Sequence, residues 1–345
     1  MSTVPIEPMV PRRYGEVMGS LLVDQDAAAP PTRARDLGVD RLRGALVLLM
    51  VAGNYLGGIA WVPAQLKHAP DVGLTVADLV APCFVVVIGL NLGPSFDRRR
   101  REHGVGAAYA HLAIRAVALI GIGAILSAGG TAVAGESSDW GVLQALGVAV
   151  LLATATVQTP TWARFAIGLL ILAAYQLFLG GGAVPEVLGS AHGGLVGAVA
   201  WGALLILATA VADVRRAGRV PWVVCCAVLA TAAVLAAVVL PVSKNRVSPA
   251  YVLVSLAISA LVVLLVDLAS RAADRPAGFL VWWGRNALVL YLAHLVLLGL
   301  VVLPPAPGWY AQAPPWLAAL QLAVILGLLS WLAWGLNRRR VRLVL

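Results

Sequence analysis

Long apolar runs separated by short polar breaks recur along the chain from residue 44 to residue 337. A run of about 18 or more apolar residues reads as a transmembrane helix, because hydrocarbon leaves backbone polar groups no partner outside the helix itself. The breaks predict ten spans, at 44–64, 73–95, 108–129, 140–158, 162–180, 193–213, 220–241, 248–269, 278–303 and 315–337. The fold class expected is therefore all-α: a polytopic integral membrane bundle of about ten transmembrane helices. Ala, Gly, Val and Leu dominate the spans, which suits close helix packing in lipid. Residues 1–36 are rich in Pro, Ala and Arg and have no apolar core, so they read as a disordered cytoplasmic tail rather than a signal peptide. A transmembrane domain over 37–340 and a tail end at 341–345 complete the expected division. The chain has no long internal repeat, which weighs against an inverted-repeat transporter.

Charge gives these spans an orientation. One set of connections carries Arg98 to Arg101, Arg164, Arg215, Arg216, Arg219, Arg271 and Arg275, together with the N-terminal arginines and Arg338, Arg339, Arg340 and Arg342. The alternate connections carry Lys67, Lys244 and Arg246 against Asp71, Glu136, Asp139 and Glu186. The positive-inside rule then makes both termini cytoplasmic and puts "QLKHAPDVG" on the outer face, in a protein of the cell (plasma) membrane. Composition agrees: 61% of residues are hydrophobic and 12% charged, where soluble domains are about a quarter charged. The net charge of +9 is accounted for by span flanks and implies no nucleic-acid partner. Cys83, Cys225 and Cys226 offer neither a disulfide framework nor metal spacing. No HExxH, GxSxG, P-loop or EF-hand motif is present, so a protease, a P-loop NTPase and a motif-bearing metalloenzyme are disfavoured, and no metal is expected.

Polar groups inside such spans are costly and therefore mark candidate function. Asp40, Arg41 and Arg43 open the first span, either as an ion-paired flank or as a phosphate-binding group. Asn54 lies mid-span. Thr75 and Asp78 open the second span, Pro82 interrupts it, and His68 and Asp71 precede it. Gln144 opens the fourth span. Lys244, Asn245 and Arg246 precede the eighth, where the alternative is an interfacial anchor. In the ninth, Asn286, Tyr291 and His294 lie in an apolar run. The i, i+8 spacing of Asn286 and His294 puts both on one face of a continuous helix. His192, opening the sixth span from outside, is a further contributor to an outer site. His103 and His111 flank the arginine-rich inner loop.

Read together, "VDRLRG", "MVAGNYLGG" and "KHAPDVGLTVADLVAPCFVVVIG" resemble the heparan-alpha-glucosaminide N-acetyltransferase family of transmembrane acyltransferases. The later blocks "GVLQALGVA", "HGGLVGAVAWG", "SKNRVSPAYVLVSLAIS" and "GRNALVLYLAHLVLL" follow in that family's order. The resemblance implies transfer of an acetyl group from cytoplasmic acetyl-CoA, or another acyl-CoA, to an amine or hydroxyl of a small-molecule acceptor across the membrane. It makes His68 the active-site histidine, Asn54 the first-span asparagine that assists at the carbonyl, and Asp78 the signature aspartate. Asp71 stands where the family has Trp, Ala81 where it has an aromatic residue, and Ala145 where it has Arg.

The layout expected is an inner mouth of Asp40, Arg41 and Arg43 for the donor, with catalysis by His68, Asn54 and Asp78. Asp71, Gln144, Lys244, Asn245, Asn286, Tyr291 and His294 would line the acceptor pocket. His68 would serve as general base or as acyl-accepting nucleophile. Membrane lipid is a partner by necessity, and a homodimer is compatible with the chain. Two alternatives stay open: a CoA-independent tailoring enzyme on the same scaffold, and a transporter of a small polar metabolite with histidine proton relays.

Overall fold

The computed structural model describes residues 36–134, 140–271 and 278–340, so most of the expected tail and the 341–345 end lie outside it. Within these residues the chain is helical, with a single isolated antiparallel bridge between Val72 and Ser243. The first helices are α1 (Leu37–Gly57), α2 (Val76–His103), α3 (Val105–Ala134) and α4 (Val142–Thr156). Next come α5 (Thr161–Phe178), the short α6 (Val184–Leu188), α7 (Gly194–Ala217) and α8 (Arg219–Val239). The last are α9 (Pro249–Arg271), α10 (Phe279–Arg285), α11 (Ala287–Val302) and α12 (Pro315–Arg338).

Seven helical segments among the described residues are long and apolar enough to cross a membrane, and an eighth is made by α10 with α11 if that bent pair is one span. Two of the ten expected spans fall short of this measure. Helix α4 has 15 residues, about 22 Å of rise against a hydrocarbon core of about 30 Å. Helix α1 is 21 residues long but carries Asp40, Arg41 and Arg43 near its start.

Two expectations about helix boundaries are corrected. The first helix runs from Leu37 to Gly57 instead of 44–64. Asp36 starts it by accepting the Val39 amide on its side chain at 3.1 Å, and the Gly57–Gly58 pair ends it. The apolar residues beyond Gly58 lie in a loop with one 3₁₀ turn, Ala64–Leu66, tied back by Lys67 Nζ donating to the Ile59 carbonyl at 2.7 Å. The ninth span is not a continuous helix: α10 and α11 meet at an 88° bend. Asn286 sits at the break, its Nδ2 donating to the Trp282 carbonyl at 2.9 Å. A short amide side chain that bonds its own backbone competes with the helical ladder. Asn286 and His294 therefore do not share one helix face.

Helix α7 is the hub. It is apolar on all sides, and 83% of its most apolar window is buried, against 22% for α8. It carries Trp201, Leu204, Leu205, Ile206 and Leu207, all essentially inaccessible. A second apolar cluster joins α1, α10, α11 and α12 through Val47, Val51, Tyr55, Trp283, Leu290, Ile325 and Leu329. Helix α1 meets α10 backbone to backbone. A Cβ at Gly44 would lie 1.9 Å from the Leu280 carbonyl oxygen, and one at Gly284 would lie 1.9 Å from that of Asp40. Glycine at both positions allows that approach.

Helix α2 contains two prolines, Pro82 and Pro94. Each lacks the N–H that would bond the carbonyl four residues earlier. Those carbonyls, on Asp78 and Leu90, are both claimed by other helices. Tyr251 of α9 donates its hydroxyl to the Asp78 carbonyl at 2.7 Å, and Arg216 Nη1 of α7 reaches the Leu90 carbonyl at 3.5 Å. The prolines thus turn helix-internal acceptors into tertiary contacts, and the first of these lies directly beneath the loop that carries His68.

Tyr251→Phe leaves a buried carbonyl unpaired and is expected to cost about 1–3 kcal/mol of stability. In a Pro82→Ala background, where the helix regains its own donor, the same substitution should cost distinctly less. A thermal-unfolding double-mutant cycle in detergent checks this, and equal costs in the two backgrounds would refute the coupling.

Candidate functional site

Asp78 occupies the first turn of α2 with its side chain fully buried. Its Oδ2 accepts three donors: the Ala69 amide at 3.2 Å, the Thr75 amide at 3.0 Å and the Thr75 hydroxyl at 3.0 Å. The Thr75 contacts form a capping box, the local reason a carboxylate belongs at this position. Oδ1 faces the other way and meets His68 Nδ1 at 2.7 Å, with Lys244 Nζ at 3.7 Å. An ionised carboxylate can only accept, so Nδ1 carries the proton, and in the neutral ring Nε2 keeps its lone pair. The His68 side chain is 52% exposed while Asp78 is 0% exposed. The pair is thus an accessible imidazole held by a buried anion. Burial lowers the pKa of the Lys244 ammonium, and Asp78 opposes that shift.

The loop carrying His68 is fastened to the loop between α8 and α9. Gly73 donates its amide to the Val242 carbonyl at 2.8 Å beside the Val72–Ser243 bridge. Asp71 accepts from Ser243 Oγ at 2.8 Å and from Arg246 Nε at 2.9 Å, with Arg246 Nη2 on its second oxygen. Asn245 Nδ2 donates to the Pro70 carbonyl at 2.5 Å. The hydrogen bonds from Arg246 hold the Asp71 carboxyl below the usual range, against the opposing effect of its burial. Asp71 and Asn245 therefore serve as fasteners between the loops. Arg246, named in the sequence only as part of a basic triplet, is their principal partner.

A second cluster forms between α1 and α11. Asn54 Nδ2 and His294 Nε2 are 3.0 Å apart. His294 Nδ1 lies 2.5 Å from the Tyr291 carbonyl, which can only accept, so Nδ1 donates and Nε2 receives the Asn54 amide. The rings of Tyr291 and His294 are 5.3 Å apart. The structure thus groups the predicted residues as His68 with Asp78 and Lys244, and Asn54 with His294 and Tyr291.

The other predicted residues have structural partners. Gln144 closes a capping box at the start of α4, its Oε1 accepting from the Gly141 amide at 2.6 Å. Asn286 sits at the α10–α11 break with its Oδ1 buried and unpartnered among the described residues. Asp40 is buried between Arg43 Nη1 at 3.1 Å and Arg285 Nε at 3.7 Å, tying α1 to α10. Arg285 went unread in the sequence because its partner lies over 240 positions away in the chain. His192, in the turn before α7, has φ of 55° and a buried Nδ1 without a partner among the described residues.

The helices and the His68–Asp78 pair define a class: a polytopic helical membrane protein with an accessible imidazole held by a buried carboxylate at an end of the bundle. The sequence resemblance holds over a defined segment of it. Residues 35–189 match the family model described as heparan-alpha-glucosaminide N-acetyltransferase, catalytic. The human heparan-alpha-glucosaminide N-acetyltransferase (Homo sapiens) is 48% identical over 65 residues, covering 19% of this chain and 9% of that protein. The mouse protein (Mus musculus) of the same name is 48% identical over 54 residues, covering 16% and 8%. The chain thus spans less than a tenth of the length of these curated relatives in the aligned stretches. The matched segment contains Asn54, His68 and Asp78, while Lys244 and His294 lie beyond it.

The Asp71–Arg246 clamp has a definite pH signature. A carboxyl with a depressed folded pKa contributes stability above its unfolded value, and that contribution is lost as pH falls through the folded value. Arg246→Gln should therefore lower the melting temperature at neutral pH, and the gap to wild type should close as pH drops below the carboxylate range. A gap independent of pH would show that the clamp is not ionic.

Proposed function

We propose that this protein is a membrane-embedded acyltransferase. In this reading it moves an acetyl group from acetyl-CoA, or another acyl-CoA, to an amine or hydroxyl of a small-molecule acceptor such as an amino sugar. The observation that carries the reading is the 2.7 Å contact between exposed His68 and fully buried Asp78. It lies within the segment that matches the catalytic family model.

Asp78, held by three donors, orients the ring and fixes the proton on Nδ1. Nε2 then takes the proton of the acceptor amine or hydroxyl as it attacks the acyl carbon. The bond from acceptor to acyl carbon forms, the carbon–sulfur bond breaks, and the thiolate leaves and is protonated. Lys244, a buried cation beside Asp78, keeps the carboxylate ionised when the imidazole becomes charged in the step. Asn54 donates to the acyl carbonyl oxygen as negative charge develops on it. Its amide serves His294 in the absence of substrate, so binding must redirect it or use its second N–H.

The donor's phosphates are assigned to the arginine-rich end. Arg43 lies near the start of α1 and Arg98 to Arg101 near the end of α2, guanidiniums suited to a polyphosphate. Arg41 belongs to the same mouth. Asp40 is acceptor-only and positions Arg43 and Arg285, so it is a support for that mouth and not a phosphate ligand. On the positive-inside rule this end is cytoplasmic and His68 faces the other side, which makes the reaction a transfer across the membrane.

Full-length protein in proteoliposomes, given labelled acetyl-CoA and glucosamine as acceptor, provides the test. His68→Ala should abolish transfer. Asp78→Asn, which no longer anchors the tautomer with a charge, should reduce kcat by about 10²–10⁴-fold, by analogy with carboxylate loss in catalytic triads. Wild-type turnover by folded His68→Ala protein contradicts the assignment.

A further inference from the structure

At the arginine-rich end a separate cavity opens where α7, α8 and α9 meet. It has a volume of about 290 Å³ and is lined by Arg215, Arg216, Arg219, Trp222, Asp267 and Leu268, among others. Its lining holds three guanidiniums and one carboxylate, and Asp36 and Asp213 pair with two of those guanidiniums from beside it. Two of the guanidiniums are held in place. Arg215 Nε lies 2.9 Å from Asp267 Oδ2, and Arg215 Nη2 lies 2.7 Å from Asp36 Oδ2. Arg216 Nη2 pairs with Asp213. Arg219 is exposed and has no ion pair among the described residues.

Two further features border the same space. Trp222 is 3% exposed, yet its indole Nε1 is buried with no hydrogen-bond partner among the described residues. An indole N–H can only donate, so an acceptor is missing. Helix α8, of 21 residues, begins beside the cavity at Gly218, whose φ of 139° turns the chain sharply. Of its first residues Pro221 has no N–H and Trp222 donates to the Gly218 carbonyl, so the amides of Arg219 and Val220 precede the helical ladder, and the helix dipole adds positive potential there. An unpaired arginine beside two arginines held by carboxylates, at a helix N-terminus, suits an anion with several acceptor oxygens.

The walls indicate what carries that anion. Val220, Val223, Val224, Leu265 and Leu268 lie beside the cavity on α8 and α9, exposed and apolar in spans that face lipid. We propose that the cavity binds the phosphate ester of an anionic phospholipid, with its acyl chains lying along this apolar face. Basic pockets between helices at a membrane surface suit such headgroups. Free phosphate esters share the anionic chemistry but would make no use of the apolar face. The site is independent of the acyl-transfer reading and uses none of its residues.

Native mass spectrometry on the full-length protein tests this by titrating phosphatidylglycerol and phosphatidylcholine into detergent-purified material. Wild type should retain phosphatidylglycerol about tenfold more tightly than phosphatidylcholine. Arg219→Gln, at an exposed position, should remove that preference with an unchanged melting temperature in phosphatidylcholine. Equal phosphatidylglycerol binding by wild type and Arg219→Gln overturns the site. Binding of adenosine 3′,5′-bisphosphate that Arg219→Gln abolishes, with no phospholipid preference, overturns the lipid assignment.

Discussion

The buried carboxylate of Asp78 is the constraint on which this end of the molecule depends. A charge removed from water must be met by donors, and Asp78 is met on every side. Thr75 and Ala69 supply Oδ2, His68 and Lys244 face Oδ1, and Tyr251 takes the backbone carbonyl that Pro82 leaves open. His68, Ala69 and Thr75 come from the loop before α2, and Lys244 and Tyr251 from much further along the chain, around the start of α9. The capping box starts α2, Tyr251 ties α9 to it, and Lys244 brings in the loop between α8 and α9. What exits this network is one accessible imidazole with its proton fixed on the inner nitrogen.

The loops around it are held with the same economy. Asp71 stands where an aromatic residue was expected from the family pattern. In this protein it becomes a bidentate anchor for Arg246 and an acceptor for Ser243. The loop that carries His68 is therefore positioned by an ion pair across two connections. At the opposite end, Arg215 joins the start of α1 to the ends of α7 and α9, through Asp36 and Asp267. The arginines that the positive-inside rule reads as a cytoplasmic flank also brace the helices.

Much of this could be read from residue order. Because hydrocarbon leaves the backbone no alternative, apolar runs located the long helices, though not the short α6 or the break between α10 and α11, and the string "GLTVADLV" marked the turn where Asp78 caps α2. Where the reading failed, local chemistry had overridden hydropathy. Residues 59–64 are apolar enough to extend the first span, yet Gly57–Gly58 end it and a lysine ties the loop back. Asn286 looked like a lining residue on a continuous stripe, but its side chain bonds its own helix and the chain turns by 88°. Pairings across distance were not readable at all. Asn54 with His294, Asp40 with Arg285 and Tyr251 with Asp78 are set by how helices pack, which no spacing within one helix reveals.

The central claim is that Asp78 holds His68 as the Nδ1–H tautomer with a free Nε2. Nitrogen-15 NMR of histidine-labelled protein, with His68 assigned by difference against His68→Gln, reads this directly. The account predicts a protonated Nδ1 and an unprotonated Nε2 in the wild type at neutral pH, with that preference lost in Asp78→Asn. A His68 ring protonated on Nε2, or a tautomer unchanged by Asp78→Asn, would contradict it.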